Sequence, residues 1–181
     1  MAITSKALAN YLLDLAADDG IDVSPMKLQK LVYYCQGWYL AITDEPLIDE
    51  QIEAWKFGPV VDSLFHEFKA YGRMPISSRA TRFIQSDSSE DFFGFCSIVP
   101  AIDDECDDAD EAETIKQVVK RVWDVYKAYS AERLSNMTHQ AGGPWAVTVD
   151  KFNGNPPKGT DIPVPLIAEH FAASLNRHLG K

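Results

Sequence analysis

The chain has 181 residues, 46% of them hydrophobic and 11% aromatic, and a net charge of −10. That size and apolar content exclude wholesale disorder and suffice for one domain with a real core. No apolar run approaches the ~20 residues that cross a bilayer, and no secretory pattern opens the sequence, so the expected compartment is the cytoplasm, with no membrane partner.

The acidity is local. Residues 103–113 hold eight acids and no base, and without them the chain carries only −2. This balance disfavours nucleic acid as a partner, and no basic helix stands out as a groove reader. Cys35, Cys96 and Cys106 form no C-x-x-C pair, so neither a disulfide framework nor a structural zinc site is expected.

A first helix is expected over residues 3–17, capped by Thr4 or Ser5, with Leu8, Tyr11, Leu12 and Leu15 as its core stripe. Asp18-Asp19-Gly20 breaks it, and Ser24-Pro25 opens a second helix: serine accepts from the free first-turn amides, and proline wastes no donor there. Its stripe is Leu28, Leu31, Val32, Cys35, Trp38 and Tyr39, with Cys35 acting as a small hydrophobe and Lys27 and Lys30 off the stripe. Residues 51–57 read as a short strand or an extended connector. Gly58-Pro59 reads as another helix start, followed by Val61, Leu64, Phe65 and Phe68 facing the core and by Gly72 as the stop.

Residues 73–110 form a loop-rich insertion marked by Pro75, Ser77, Ser78, Ser86, Ser88 and Ser89. Within it Phe92, Phe93, Phe95, Ile98 and Val99 make an apolar island expected to dock on the core. The acidic run then reads as a solvated loop leading into a helix whose N-terminal dipole welcomes carboxylates. Residues 111–129 are periodic in Ile115, Val118, Val119, Val122, Val125, Tyr126 and Tyr129. Ser130 caps a short helix with Leu134 and Met137, Pro144-Trp145 begins another turn, residues 151–165 form a loop, and a last helix over 166–179 buries Leu166 or Ile167, Phe171 and Leu175. The class is therefore mainly α: a single compact domain, residues 1–181, of six or seven helices with at most a few short strands and an acidic loop.

No catalytic constellation appears. His66-Glu67 begins a zinc-protease pattern, but residue 70 is alanine, and nucleophile-elbow, phosphate-loop and dinucleotide patterns are missing. His139 has no evident nucleophile beside it, with Cys35 and Thr138 the only ones to propose, and reads as an element that caps its short helix and orders the loop to Trp145. His170 and His178 take ordinary positions on the last helix. Lys27, Lys30 and Lys56 read either as a solvated face with stems lying on apolar surface or as the rim of a binding surface.

P-M-K-L-Q-K-L-V-Y-Y-C-Q-G-W-Y-L-A at 25–41, I-E-A-W-K-F-G-P-V-V at 52–61, L-F-H-E-F-K-A-Y-G at 64–72 and L-S-N-M-T-H-Q-A-G-G-P-W at 134–145 together resemble the Panacea domain, the family of GepA-like phage-associated proteins and SocA-like antitoxins. The resemblance runs collinearly from about residue 5 to 175. It implies a non-enzymatic, mainly helical antitoxin without a cofactor that neutralises a cognate toxin, typically from the adjacent gene, by direct binding. A SocA-like member also serves as a proteolytic adaptor to a ClpXP-type protease, so an adaptor, or a phage-associated host-interaction protein without a toxin partner, is the alternative. With the resemblance taking up nearly all of the 181 residues, the helix-turn-helix segment that some members carry, and promoter binding with it, is not expected. The candidate partner-binding residues are Lys27, Lys30, Trp55, Lys56, His139 and Trp145, and the acidic run is a candidate nucleic-acid mimic for a basic groove on a toxin.

Overall fold

In the computed structural model, which describes residues 2–85, 95–178 and 180, the chain is built around one helix, α2 (Pro25–Thr43). Ser24 caps it by accepting from the Lys27 amide, with Pro25 in the first turn, and Asp44 ends it in the left-handed conformation. α2 is packed against α1 (Ser5–Asp18), α5 (Ala109–Tyr126), α6 (Ala131–Thr138) and α8 (Val164–His178). The remaining elements are β1 (Glu53–Trp55), β2 (Gly58–Val60), α3 (Asp62–Phe68), β3 (Arg82–Gln85), β4 (Phe95–Ile98), the single turn α4 (Ile102–Glu105) and α7 (Pro144–Asp150). The mainly helical class stands. Eight α-helices occur among the described residues, and α4, formed within the acidic run, is the one the periodicity does not show.

Because neighbours surround α2, its burial is not confined to a stripe. Leu28, Leu31 and Val32 are buried, but so are Lys27, Gln29, Lys30 and Gln36. The solvated face considered for Lys27 and Lys30 is thus overturned: Lys30 is buried against the Pro59 carbonyl of β2 and Lys27 against the Lys127 carbonyl just past α5. Close approach of α8 depends on Gly37, where an added Cβ would overlap the Phe171 ring. Aromatic packing extends the contact, with Tyr34 stacked on Tyr126 at 4.4 Å between ring centres and Trp38 edge-on to Phe171 at 5.2 Å. Each fully buried side chain of this kind contributes roughly 1.5–3 kcal/mol.

Residues 53–60 form an antiparallel hairpin, with Glu53 opposite Val60, Ala54 opposite Pro59 and Trp55 opposite Gly58. The helix start expected at Gly58-Pro59 is therefore corrected. Gly58 has φ +100°, outside any helix, and α3 begins at Asp62 after Val61. α3 buries Leu64 and Phe68 but leaves Phe65 37% exposed, against the expectation that it faces the core. A 3-10 turn at Lys69–Tyr71 follows, and Gly72 closes the segment with φ +57°.

β3 and β4 pair antiparallel, Arg82 opposite Ile98. Of the apolar island expected to dock on the core, Phe95 and Val99 stay 52% and 51% exposed, on and just past a strand that pairs with β3. Ser86, Ser88, Ser89, Phe92, Phe93 and Leu179 lie outside the described residues. Among the described residues no helix is long and apolar enough to cross a membrane.

Candidate functional site

The tip of the β1–β2 hairpin projects Trp55, Lys56 and Phe57, and side chains from three other elements hold it. From α2, the Gln29 amide grips both backbone groups of Val61, donating to its carbonyl at 3.0 Å and accepting from its N–H at 2.8 Å. One residue on, the Lys30 Nζ donates to the Pro59 carbonyl at 2.9 Å. From α6, Ser135 Oγ donates to the Phe57 carbonyl at 2.9 Å. From α7, the Trp145 indole N–H donates to the Trp55 carbonyl at 2.8 Å. Gly58 allows these groups to converge: an added Cβ would lie 2.5 Å from Thr138 Oγ1 and 3.0 Å from Lys30 Nζ.

The six candidate residues divide by position. Trp55, Lys56, Lys30, His139 and Trp145 gather at the hairpin, whereas Lys27 sits one turn away and donates to the Lys127 carbonyl at the end of α5, at 2.6 Å. Lys30 is 1% exposed, and burial pushes its ammonium down to about 7. Burial also lowers Lys27. Lys56 is exposed, its Nζ 5.5 Å from the Phe57 ring centre. Trp55 is half-buried, packed on Phe65 at 4.8 Å, with its indole N–H donating to Glu53 Oε2 at 2.7 Å. His139 Nδ1 lies 2.7 Å from the Ser135 carbonyl, an acceptor that places the ring proton on Nδ1. The same ring meets Trp145 edge-on at 3.9 Å. His139 thus closes α6 and supports the tryptophan that holds the hairpin.

Two grooves flank the tip. One, about 410 Å³, lies between the hairpin and the start of α2, lined by Met26, Lys30, Lys56, Phe57 and Phe65 among others. The other, about 700 Å³, lies on the α7 side, lined by Trp145, Val149, Asn155, Pro156 and Lys158. Trp55 and Lys56 face both. Sequence reasoning missed Gln29, Ser135 and Phe57. A glutamine between two buried leucines was the available signal, because a buried amide requires partners.

A profile of the family described as "Antitoxin SocA-like, Panacea domain" matches residues 28–146. The chain is also 32% identical over 170 residues to Antitoxin SocA of Caulobacter vibrioides (strain NA1000 / CB15N), covering 94% of this chain and 83% of that protein. The chain belongs to the SocA-like Panacea family. No solved structure matches it. In this Panacea chain the K-L-Q-K-L, A-W-K-F-G-P-V and T-H-x-x-x-x-P-W motifs, far apart in sequence, meet at the β1–β2 hairpin.

The acidic run is tied into the fold. Glu105 accepts from the Thr4 N–H at 2.6 Å and the Thr4 hydroxyl at 2.8 Å and pairs with Arg82 at 3.1 Å. Asp103 pairs with Lys116, and Asp108 caps α5 by accepting from the Asp110 amide. Cys35 is fully buried, and burial pushes its thiol pKa far up, as suits an inert core position.

Proposed function

We propose that this chain is an antitoxin that neutralises a cognate toxin protein by binding it directly, and that the hairpin face is the contact. The observation that carries the reading is the convergence of the family motifs on one projecting tip, beside which large apolar side chains stay in solvent: Phe57 59%, Phe65 37% and Met26 36% exposed. A fold that fastens a hairpin with so many buried hydrogen bonds while leaving its tip unfilled is preorganised for a partner, because little order is lost on binding. A stable complex of this kind buries ~1,200–2,000 Å² around an aromatic centre with a charged rim.

The binding role is non-catalytic. His139 is engaged by Ser135 and Trp145, and Cys35 is sealed in the core. Trp55, Lys56 and Trp145 contact the toxin in this reading, while Lys27, Lys30 and His139 act by positioning. The expected compartment remains the cytoplasm, and the toxin is expected from the adjacent gene.

Co-expression tests it. The adjacent gene product should arrest growth alone, be harmless with this chain, and co-purify with it. A harmless neighbour, or arrest that persists while this chain is present and folded, refutes the reading. Recovery of a ClpXP-type protease in place of a toxin would point instead to an adaptor.

A further inference from the structure

Outside the acidic run 103–113 the chain carries 19 Asp and Glu against 17 Lys and Arg, so an average patch of the remaining surface holds both signs in nearly equal number. The two grooves beside the hairpin depart from that average. Their exposed charged lining is Lys56 and Lys158, with Lys30 buried behind them, and no Asp or Glu is in the lining of either groove among the described residues, Glu53 beside them being engaged by the Trp55 indole N–H. Between the lysines the walls are Trp55, Phe57, Phe65 and Trp145.

The hairpin's edges are already occupied. Beside β1, the Ala54 N–H donates to the Thr160 carbonyl and the Ile162 N–H to the Ile52 carbonyl, both at 2.8 Å. Beside β2, the Pro59 carbonyl and both Val61 groups are taken by Lys30 and Gln29. A ligand therefore cannot join as an added strand, and must be held through its side chains.

We propose that the two grooves receive one linear segment of the partner protein in which carboxylates alternate with large apolar side chains, the carboxylates meeting Lys56 and Lys158 and the apolar groups packing on Trp55, Phe57, Phe65 and Trp145. This rests on the toxin-binding reading and specifies its chemistry. A single-stranded nucleic acid would also stack on aromatic walls, but it tracks a continuous basic groove. Here Lys30 is buried, which leaves Lys56 and Lys158 as the exposed cations of the lining among the described residues, two separate points and not a continuous basic track for a phosphate chain.

Selection of a phage-displayed random 12-residue peptide library on the purified full chain tests this without any toxin. The double variants Lys56→Glu/Lys158→Glu and Lys56→Gln/Lys158→Gln, checked for wild-type circular dichroism and thermal midpoint, serve as counter-targets. The expected result is enrichment of peptides that combine acids with aromatic or aliphatic residues. A synthetic copy of the leading peptide should shift tryptophan emission and bind about tenfold or more weakly to the Glu variant, less so to the Gln variant, with affinity falling as salt rises. Enrichment of basic or neutral peptides, no enrichment, equal affinity for the variants, or displacement by oligo(dT) overturns the proposal. If the adjacent toxin is neutralised equally by wild type and both variants, the groove chemistry fails while the antitoxin reading stands.

Discussion

Lys30→Met gives the sharpest test of how the hairpin is held. In the unfolded chain the amine titrates near 10.5; buried against the Pro59 carbonyl it titrates at about 7. Between those values the unfolded chain binds more protons than the folded one, so unfolding free energy rises with pH, and the destabilisation from the buried ammonium is fully present only below pH 7. The slope approaches about 1.4 kcal/mol per pH unit for one proton. From pH 7 to 8.5 the wild type should gain about 1–2 kcal/mol relative to Lys30→Met, since groups common to both proteins cancel in the difference. The upper bound of the window avoids the thiol and phenols of Cys35, Tyr33 and Tyr34, which ionise in the unfolded chain near 9 and 10 and are held protonated by burial when folded. At pH 8.5 the variant should also be the less stable, by roughly 1–3 kcal/mol for a buried acceptor left without its donor. Urea unfolding at half-unit pH steps measures both effects. Parallel stability curves for the two proteins would refute the reasoning, because they would mean that Lys30 titrates alike in the folded and unfolded states.

Gly58→Ala should destabilise by about 2–4 kcal/mol in urea unfolding, because alanine is strained at positive φ and its methyl overlaps Thr138 and Lys30. Gln29→Ala leaves both backbone groups of Val61 without side-chain partners and should cost about 2–5 kcal/mol, and hydrogen exchange should show the Val61 amide losing protection. Leu31→Ala, at a fully buried site, should cost about 2–5 kcal/mol and mimic loss of function through unfolding, visible as a lowered thermal midpoint. In the native protein a thiol reagent should spare Cys35, and the third thiol should react only on unfolding in urea.

The helices were legible because capping and periodicity are local. Ser24-Pro25 and Ser130 open α2 and α6 as expected, and each serine accepts from the amide three residues on. The Gly58-Pro59 misreading shows where local signals stop. Glycine followed by proline suits a helix start or a sharp β connection equally well, and only the clamp of Gln29 and Lys30 from a distant helix decides for the hairpin. The same holds for Phe65: its spacing fits the core stripe of α3, but it packs on Trp55 at the hairpin and stays 37% exposed.

The sequence by itself determined the mainly helical class, the central place of the 24–41 segment, and, through its motifs, the family. What those motifs do was decided only by tertiary structure. Lys27 and Lys30 read as surface residues until the neighbours of α2 buried them, and the Trp145 indole N–H finds its acceptor only on the distant hairpin. Hydrogen bonds from α2, α6 and α7 to one hairpin join residues 29 to 90 positions apart only after the core has formed, and local propensity contains no record of such contacts.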